Sequence, residues 1–456
     1  MTCRLAAPLT LVLALALESA CGWMADARMT LCREGDTRMA MDYCTAIIKT
    51  PGQSAARLSL AYGARGIAYW RLGNYQDALR DLNEAVRLTP DRADAFTGRG
   101  VVYHSLRDAD RAIQDDDRAI ELDPRQPRPF YNRGLEYADK GDFDRALADY
   151  DQAIRLSPRF PFALNARGAA RWKKRDYAGA FRDFDEAIRF EPSYAEAYAN
   201  RALVYDNKQE FDRAIRDYSE AIRLDPGMAS AFRGRGSAYW AKGNHAFAKR
   251  DYDEAIRLDP TDDIGVANRA YAYWAEGDFD RAIDSFDRAV QLNPRNAETF
   301  VQRGTAYESK EMWARAIMDY DEALRLAPEA PAALNDRCHA KAVVGLLESA
   351  LADCEESLRL RPGNAATLLS RGLTLLKLGR LKDAIAAYDA VLAAKPDSAH
   401  ALFGRGLARQ VLGDTPNGAE DMAAAQRIEP GIAASAEKVG LTQAALAAAA
   451  TRLLRR

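Results

Sequence analysis

The sequence predicts an all-α fold in which one helix-turn-helix unit is repeated in tandem and stacked as a solenoid. Proline recurs every 34 residues, from Pro90 to Pro430, and arginine recurs with the same period, from Arg65 to Arg405. Two residue types held in phase over eleven cycles indicate a repeated unit that buries its apolar face against its neighbours. The chain of 456 residues is 48% hydrophobic and 29% charged, which is typical of a globular protein.

The unit that ends at Pro158 shows how each helical pair forms. Gly141 is expected to end the first helix, because glycine readily takes the left-handed conformation that follows a helix end. Asp142 can cap the second helix, and Pro158 prevents that helix from continuing. Residues three and four apart share a helix face, so the inner faces are predicted to contain Phe130, Gly134 and Tyr137 on the first helix and Ala146, Tyr150, Ala153 and Ile154 on the second.

Before the repeats, residues 1–27 have the pattern of a secretory signal peptide. Arg4 precedes an apolar run at residues 5–17, which is short for a membrane span, and small-residue cleavage patterns follow at 20–22 and 25–27. We expect export to the periplasm or beyond, with no stable membrane insertion after cleavage. Two alternatives stay open: a retained anchor, and a lipoprotein linked through Cys21, which Glu18 disfavours.

The 34-residue pattern resembles the tetratricopeptide repeat family. Counting each repeat from Ser59, the small residue expected at position eight is glycine in eight of eleven repeats, and position eleven is tyrosine in seven. Arg171, Lys341, Leu375 and Arg409 depart from the aromatic position eleven. The resemblance covers residues 59–432 and implies a right-handed superhelix. On this basis residues 28–58 form a degenerate N-terminal repeat, residues 59–432 form eleven repeats, and residues 433–456 form a C-terminal capping helix and tail.

In that family the first helices line a groove that binds a peptide or a partner protein, through positions two, five, nine and twelve. Four tryptophans of this chain fall at position twelve, and neighbouring positions add further aromatic and polar groups. These indoles can instead pack between successive helices, and both interpretations stay open at this point. The predicted groove residues are Trp70, His104, Tyr131, Phe162, Trp172, Arg233, Trp240, Asn268, Tyr271 and Trp274.

The arginine at position seven borders the buried stripe of the first helix and needs an acidic partner. Aspartate stands sixteen residues later in nine repeats, whereas Ser285 and Ala387 stand there in the other two. Further acids, such as Asp117 and Asp253, lie sixteen residues before an arginine. We predict a ladder of ion pairs between helices that sets their register, with ligand binding by the arginines as the alternative.

Four cysteines lie beyond the signal segment, an even number in a chain expected to be exported. Cys338 and Cys354 occupy positions eight and twenty-four of one repeat, which face each other where the helices pack closely. We predict one disulfide between them and another between Cys32 and Cys44. The alternative for Cys338 is a small core residue in place of glycine.

Other function classes find no support in the sequence. The net charge of -2 leaves no basic surface for nucleic acid, and no catalytic motif is present. No metal or cofactor is expected, since there is no C-x-x-C pair and the four histidines are scattered. The acidic run at residues 115–117 is expected to be a solvated helix face. The sequence favours a non-enzymatic scaffold for a peptide or partner protein; the alternative is a non-catalytic repeat subunit that positions substrate for a separate catalytic chain.

Overall fold

The computed structural model describes residues 29–33 and 36–454, with side chains as far as Thr451. The predicted signal segment and Cys21 lie outside the described residues. Within the described part the chain forms α-helices joined by short turns, and no strand occurs, so the predicted all-α fold of tandem helix pairs is confirmed. No helix among these residues combines the length and the apolar composition needed to cross a membrane.

The chain divides into two compact units, of which the first ends at Pro226. After helical residues at 29–33 and one further helix before the repeats, each repeat contributes a first and a second helix in turn. The helices of this unit are α1 (Thr37–Lys49), α2 (Ala55–Arg71), α3 (Tyr75–Leu88), α4 (Ala93–Ser105), α5 (Ala109–Leu122), α6 (Pro127–Asp139), α7 (Phe143–Leu156), α8 (Pro161–Lys173), α9 (Tyr177–Phe190), α10 (Ala195–Asn207) and α11 (Phe211–Leu224).

The second unit begins at Gly227 and contains six more repeats, followed by two terminal helices. Its helices are α12 (Ala229–Ala241), α13 (His245–Leu258), α14 (Asp263–Ala275), α15 (Phe279–Leu292), α16 (Ala297–Ser309), α17 (Trp313–Leu326), α18 (Pro331–Val344), α19 (Leu347–Leu360), α20 (Ala365–Lys377), α21 (Leu381–Ala394), α22 (Ala399–Val411), α23 (Thr415–Ile428), α24 (Ile432–Lys438) and α25 (Gln443–Leu454).

Most helical pairs close around a glycine on the first helix, at position eight of the repeat. A Cβ at Gly134 would stand 2.6 Å from the ring of Tyr150, so only glycine lets α6 approach α7 this closely. Gly141 ends α6 with a φ of 78°, and the Asp142 carboxylate accepts a hydrogen bond from the Arg145 amide at 3.1 Å, which caps α7. These contacts reproduce the local rules that the sequence predicts for this unit.

The predicted arginine ladder is confirmed. In nine repeats the guanidinium donates two hydrogen bonds to the aspartate sixteen residues later. Arg303, for example, donates from Nε and Nη2 to Asp319 at 2.8 and 2.6 Å. Its Nη1 donates to Asp287 of the preceding repeat at 2.7 Å. The arginine therefore joins the two helices of its own repeat and also joins that repeat to the one before it.

Candidate functional site

The groove face is defined here as positions two, five, six, nine and twelve of the first helices. In the first unit this face of α2, α4, α6 and α8 borders a cavity of about 520 Å³. Four residues predicted from the sequence line this one cavity: Trp70, His104, Tyr131 and Phe162.

Aromatic side chains form much of the wall of this cavity. The ring of Phe160 lies 5.1 Å from that of Tyr131 and 6.4 Å from that of Phe162, measured between centroids. Phe162 is 47% exposed, which leaves its ring available for contact. Trp70 donates from Nε1 to Ser105 Oγ of the next repeat at 2.7 Å, which fixes the position of the indole. The cavity therefore has rigid apolar walls next to polar groups.

Trp172 behaves differently from Trp70. It is absent from the cavity wall and packs edge-on against Tyr177, beside the core that contains Phe184. Its Nε1 is buried and has no hydrogen-bond partner in the described part of the chain. The packing interpretation therefore fits Trp172.

In the second unit the predicted residues form a chain of contacts along α12 and α14. Tyr271 lies between two tryptophans, with ring centroids 5.4 Å from Trp240 and 5.3 Å from Trp274. Trp274 donates to Ser309 Oγ at 2.8 Å, and Tyr271 remains 39% exposed. This arrangement packs successive repeats together while leaving one aromatic surface open.

The two polar residues predicted beside these tryptophans have partners within the second unit. Arg233 forms an ion pair with Asp262 at 2.9 Å, and the Asn268 amide lies 3.5 Å from Ser237 Oγ. Both side chains already make contacts that hold adjacent repeats together, so a ligand would have to compete with these contacts.

At the end of the second unit the groove face is covered by the chain itself. A cavity of about 440 Å³ lies between the groove face of α18, α20 and α22 and the segment from Ile432 to Leu441. Lys377 donates to the carbonyl oxygen of Val439 at 3.1 Å, and Leu446 of α25 is buried. Helix α25 contacts α20 and α22, so this C-terminal segment occupies part of the same face that the first unit leaves open.

The prediction that residues 115–117 form a solvated helix face is wrong for two of the three. Asp115 is buried and forms an ion pair with Arg99 at 2.7 Å, and Asp116 is fully buried. Only Asp117, which pairs with Arg133, is substantially exposed. The cause is the helical period: successive residues point about 100° apart, so a run of three cannot all face solvent on a helix packed on one side.

Asp116 takes the core position that Leu82 and Tyr150 occupy in the neighbouring repeats. Neither of its carboxylate oxygens meets a hydrogen-bond partner among the described residues. Burial raises the pKa of Asp116 to about 9; the negative charges of Asp115 and Glu136 add to this, and Asn132 opposes it.

His104 lies at the edge of the cavity, next to another buried acid. Its Nδ1 is 2.6 Å from Oε1 of Glu136, whose side chain is 4% exposed. This hydrogen bond raises the pKa of His104, although burial opposes the change. His104, Glu136 and Asp139 each have one possible metal-ligand atom, and these three atoms lie within 4.8 Å of one another. The sequence analysis did not identify this group.

Comparison with protein families finds tetratricopeptide repeat models along most of the repeat region. A structure described as the APC/C hetero-tetramer Cut9-Hcn1 aligns with 90% of this chain and 94% of its own, at a TM-score of 0.51 and 14% identity, which shows the fold alone. A tetratricopeptide repeat protein from Parabacteroides merdae aligns with 52% of this chain and 93% of its own, at a TM-score of 0.43 and 20% identity. No curated protein sequence matches this chain. The matched stretches, which together cover more than half of the chain, are 64–127, 134–175, 195–228, 234–262, 267–296 and 369–431.

Proposed function

Because this chain belongs to the tetratricopeptide repeat family, we propose that it is a non-enzymatic scaffold that holds a peptide or partner protein on the groove face of its first unit. The observation that carries the proposal is the cavity of about 520 Å³ that four consecutive first helices share. Trp70, Tyr131 and Phe162 give it large aromatic surfaces, and such side chains dominate the energetics of protein interfaces.

The size and lining of the cavity favour a side chain presented by a folded or extended segment. Apolar walls with a few polar groups bind a ligand mainly by excluding water, and the polar groups fix its orientation. Asn132 and Thr97 supply such groups between the aromatic surfaces. Loss of a central aromatic anchor then costs about 2 kcal/mol or more, roughly thirtyfold in affinity.

The C-terminal segment supports a helical occupant. In the second unit, residues of α24 and α25 lie on the groove face of the last repeats, where Leu441 and Leu446 are buried among the first helices. The groove face of this chain is therefore compatible in shape with a short, alanine-rich helix, at the position where this chain provides one of its own.

We also propose that the mature chain acts in the periplasm or outside the cell, on envelope proteins or assembly complexes. The apolar segment at residues 5–17 and the even number of remaining cysteines support this proposal. N-terminal sequencing of the protein recovered from the periplasmic fraction tests it. A mature N-terminus near residues 22–28 is expected, and an intact Met1 in a cytoplasmic fraction would contradict it.

Photo-crosslinking in the producing cell tests the groove proposal. A photoreactive phenylalanine analogue is placed at Phe162 in one variant and at Phe247 in a matched control. Both phenylalanines are exposed, but Phe247 lies on the second helix α13, away from the groove face.

The expected result is a discrete set of adducts from position 162 that is absent at position 247. Those adducts should weaken in a Trp70→Ala, Tyr131→Ala variant that keeps its helical circular dichroism. The same adducts at both positions would refute groove binding. Recovery of a catalytic chain alone would favour a role as the repeat subunit of an enzyme complex.

A further inference from the structure

We propose that His104, Glu136 and Asp139 form a binding site for a divalent first-row transition metal ion, next to the buried Asp116. Each of the first three offers one ligand atom, and these atoms lie within 4.8 Å of one another. Ligands about 2.1 Å from one ion are separated by at most about 4.2 Å, so small side-chain movements close the site.

Asp116 is the independent observation that points to a ligand. It is fully buried, and neither of its carboxylate oxygens makes a hydrogen bond of normal geometry within the described residues, although the side-chain amide of Asn132 lies close enough to lower its pKa. Its Oδ1 lies 3.4 Å from where a Cβ of Gly100 would be, on α4. His104 is four residues further along the same helix face, so Asp116 points toward the side of α4 that carries the histidine.

The repeat places Glu136 beside Asp116. In three other repeats of the first unit, one buried cluster joins the residues at positions twenty and twenty-four to position ten of the next repeat, as with Ala146, Tyr150 and Ala170. The same three positions in the second repeat hold Ala112, Asp116 and Glu136. Two carboxylates therefore stand where the other clusters of this kind contain only apolar groups.

The positive groups near these carboxyl groups are already engaged by acids. Buried carboxylates require a cation or a set of donors, because desolvation strongly disfavours the isolated charge. Arg133, the guanidinium in this region, is already engaged by Asp117 and Asp149 at 2.6 and 2.7 Å. His104 is 43% exposed and forms its hydrogen bond with Glu136, and Asp139 also acts on it electrostatically. A divalent ion would be held by His104, Glu136 and Asp139 and would add positive charge beside Asp116.

The donor set indicates the class of ion. One imidazole nitrogen with carboxylate oxygens suits Zn²⁺, Mn²⁺, Fe²⁺ or Co²⁺, whereas Ca²⁺ prefers a larger shell made only of oxygen. His104 and Asn132 also line the cavity of about 520 Å³, so a coordination position on that side would be open to solvent or to a ligand.

Titration calorimetry on the full mature chain, stripped with EDTA and free of any tag, tests the proposal with Zn²⁺, Mn²⁺ and Ca²⁺ as probes. One equivalent of Zn²⁺ is expected to bind at least tenfold more tightly than Ca²⁺. Glu136→Ala restores the alanine found at this position in most repeats, so this variant is expected to fold. It and His104→Gln should each weaken Zn²⁺ binding by at least tenfold, and Asp116→Asn by about tenfold.

His400→Gln is the matched control, since His400 also faces a glutamate, Glu429, at 3.7 Å but has no third ligand beside it among the residues that the structure describes. Its Zn²⁺ affinity should equal that of the parent chain. Unchanged affinity in Glu136→Ala and His104→Gln would overturn the proposal, as would equal losses in all the histidine variants. If Glu136→Ala did not fold, His104→Gln and Mn²⁺-induced broadening of the Asn132 side-chain signals would decide the question.

Discussion

Replacement of Ser285 by aspartate should stabilise the second unit. In nine repeats an aspartate at this position forms an ion pair with the arginine of the first helix. In this repeat the position is Ser285, and among the described residues Arg269 forms an ion pair with Asp253 alone, at 3.2 Å. Arg269 Nε is buried and has no partner among the described residues. Ser285→Asp supplies the missing carboxylate at the position from which Asp319 holds Arg303 in the next repeat.

The magnitude follows from two opposing terms. A buried donor without a partner costs about 1–3 kcal/mol, and a charge-assisted hydrogen bond contributes about 1.5–3 kcal/mol. The new carboxylate must lose its hydration, because Ser285 is only 6% exposed, and this offsets a large part of the gain. A net stabilisation of about 1 kcal/mol is expected. Ser285→Asn offers a hydrogen-bond acceptor without a charge, so it should stabilise the fold less than Ser285→Asp does.

Long repeat arrays can unfold in more than one step, so hydrogen exchange is a better assay than a single melting temperature. The free energy of opening is measured for the amides of α15 in the parent and in Ser285→Asp. Slower exchange by roughly fivefold is the expected result. The gain should disappear when Arg269 is replaced by methionine in the same chain. Unchanged or faster exchange in Ser285→Asp, with α15 still helical, would refute the view that the ladder stabilises the stack.

Arg303→Ala removes a guanidinium that serves two aspartates and is expected to lower the free energy of unfolding by about 3 kcal/mol, whereas a loss under about 1 kcal/mol in urea titrations would show that the arginine is only solvated surface. Non-reducing peptide mapping of the exported protein should recover Cys338 linked to Cys354, whose Cα atoms lie 5.5 Å apart; two free thiols would contradict the predicted bond. Burial raises the pKa of Asp206 to about 6, above its unfolded value of about 4. Its ionisation therefore disfavours the fold, and this contribution to stability is present near pH 4 and lost as the pH rises toward 7. Asp206→Asn should remove that dependence, and parallel stability curves for the two proteins would contradict it. Trp172→Phe should lower the melting temperature and leave the adducts at position 162 unchanged, since this indole packs inside the stack; lost adducts at full stability would contradict that role.

The repeat architecture could be predicted because its rules are local and recur in every unit. Gly141 and Asp142 set the ends of helices through contacts within a few residues, and the sequence shows both. The ladder was predictable for a related reason. A separation of sixteen residues always joins the same two positions of a helical pair, so one spacing describes nine ion pairs.

The two cysteine pairs were predicted on different grounds: Cys338 and Cys354 occupy facing positions of one repeat, whereas Cys32 and Cys44 lie on either side of an expected turn. The structure places Cys32 beside Cys44 and Cys338 beside Cys354, in geometry that a disulfide requires. Oxidation of either pair stays a prediction until the peptides are mapped. The pairing of positions eight and twenty-four could be predicted from the sequence, because both positions lie in one repeat and face each other across its two helices.

The prediction failed where composition was read without the register of the repeat. Three consecutive aspartates suggest a solvated surface, yet Asp116 stands in the same position as Leu82 and Tyr150, which are core residues. Glu136 similarly stands where Ala170 is buried. Alignment of the repeats within this one sequence would have identified both departures, although their contact with His104 joins different helical pairs and needed the structure.

No pattern in the sequence predicted which surface the C-terminal segment covers. The sequence predicts a cap after the last repeat, and Ile432 and Leu446 are indeed apolar, but nothing local says which surface they will cover. In the structure α25 contacts the first helices α20 and α22. That choice depends on shape matching between distant segments, which the period of the repeat does not encode.

Two pairs of positions depart from the residue types that the other repeats use there, and the two pairs differ in whether the new side chains become partners of each other. At positions eight and twenty-four of one repeat, glycine and an aromatic residue are both replaced by cysteine, and Cys338 and Cys354 become each other's partners. At the corresponding position twenty-four of the second repeat, the aromatic residue is replaced by Asp116, and its neighbour at position ten becomes Glu136. Two carboxyl groups do not become each other's partners as two cysteines do; burial instead raises the pKa of Asp116 to about 9, so this group holds its proton at neutral pH. The cysteine pair is compensated within its own repeat, whereas Asp116 and Glu136 lie near His104 at the edge of a groove cavity, where the proposed cation would bind.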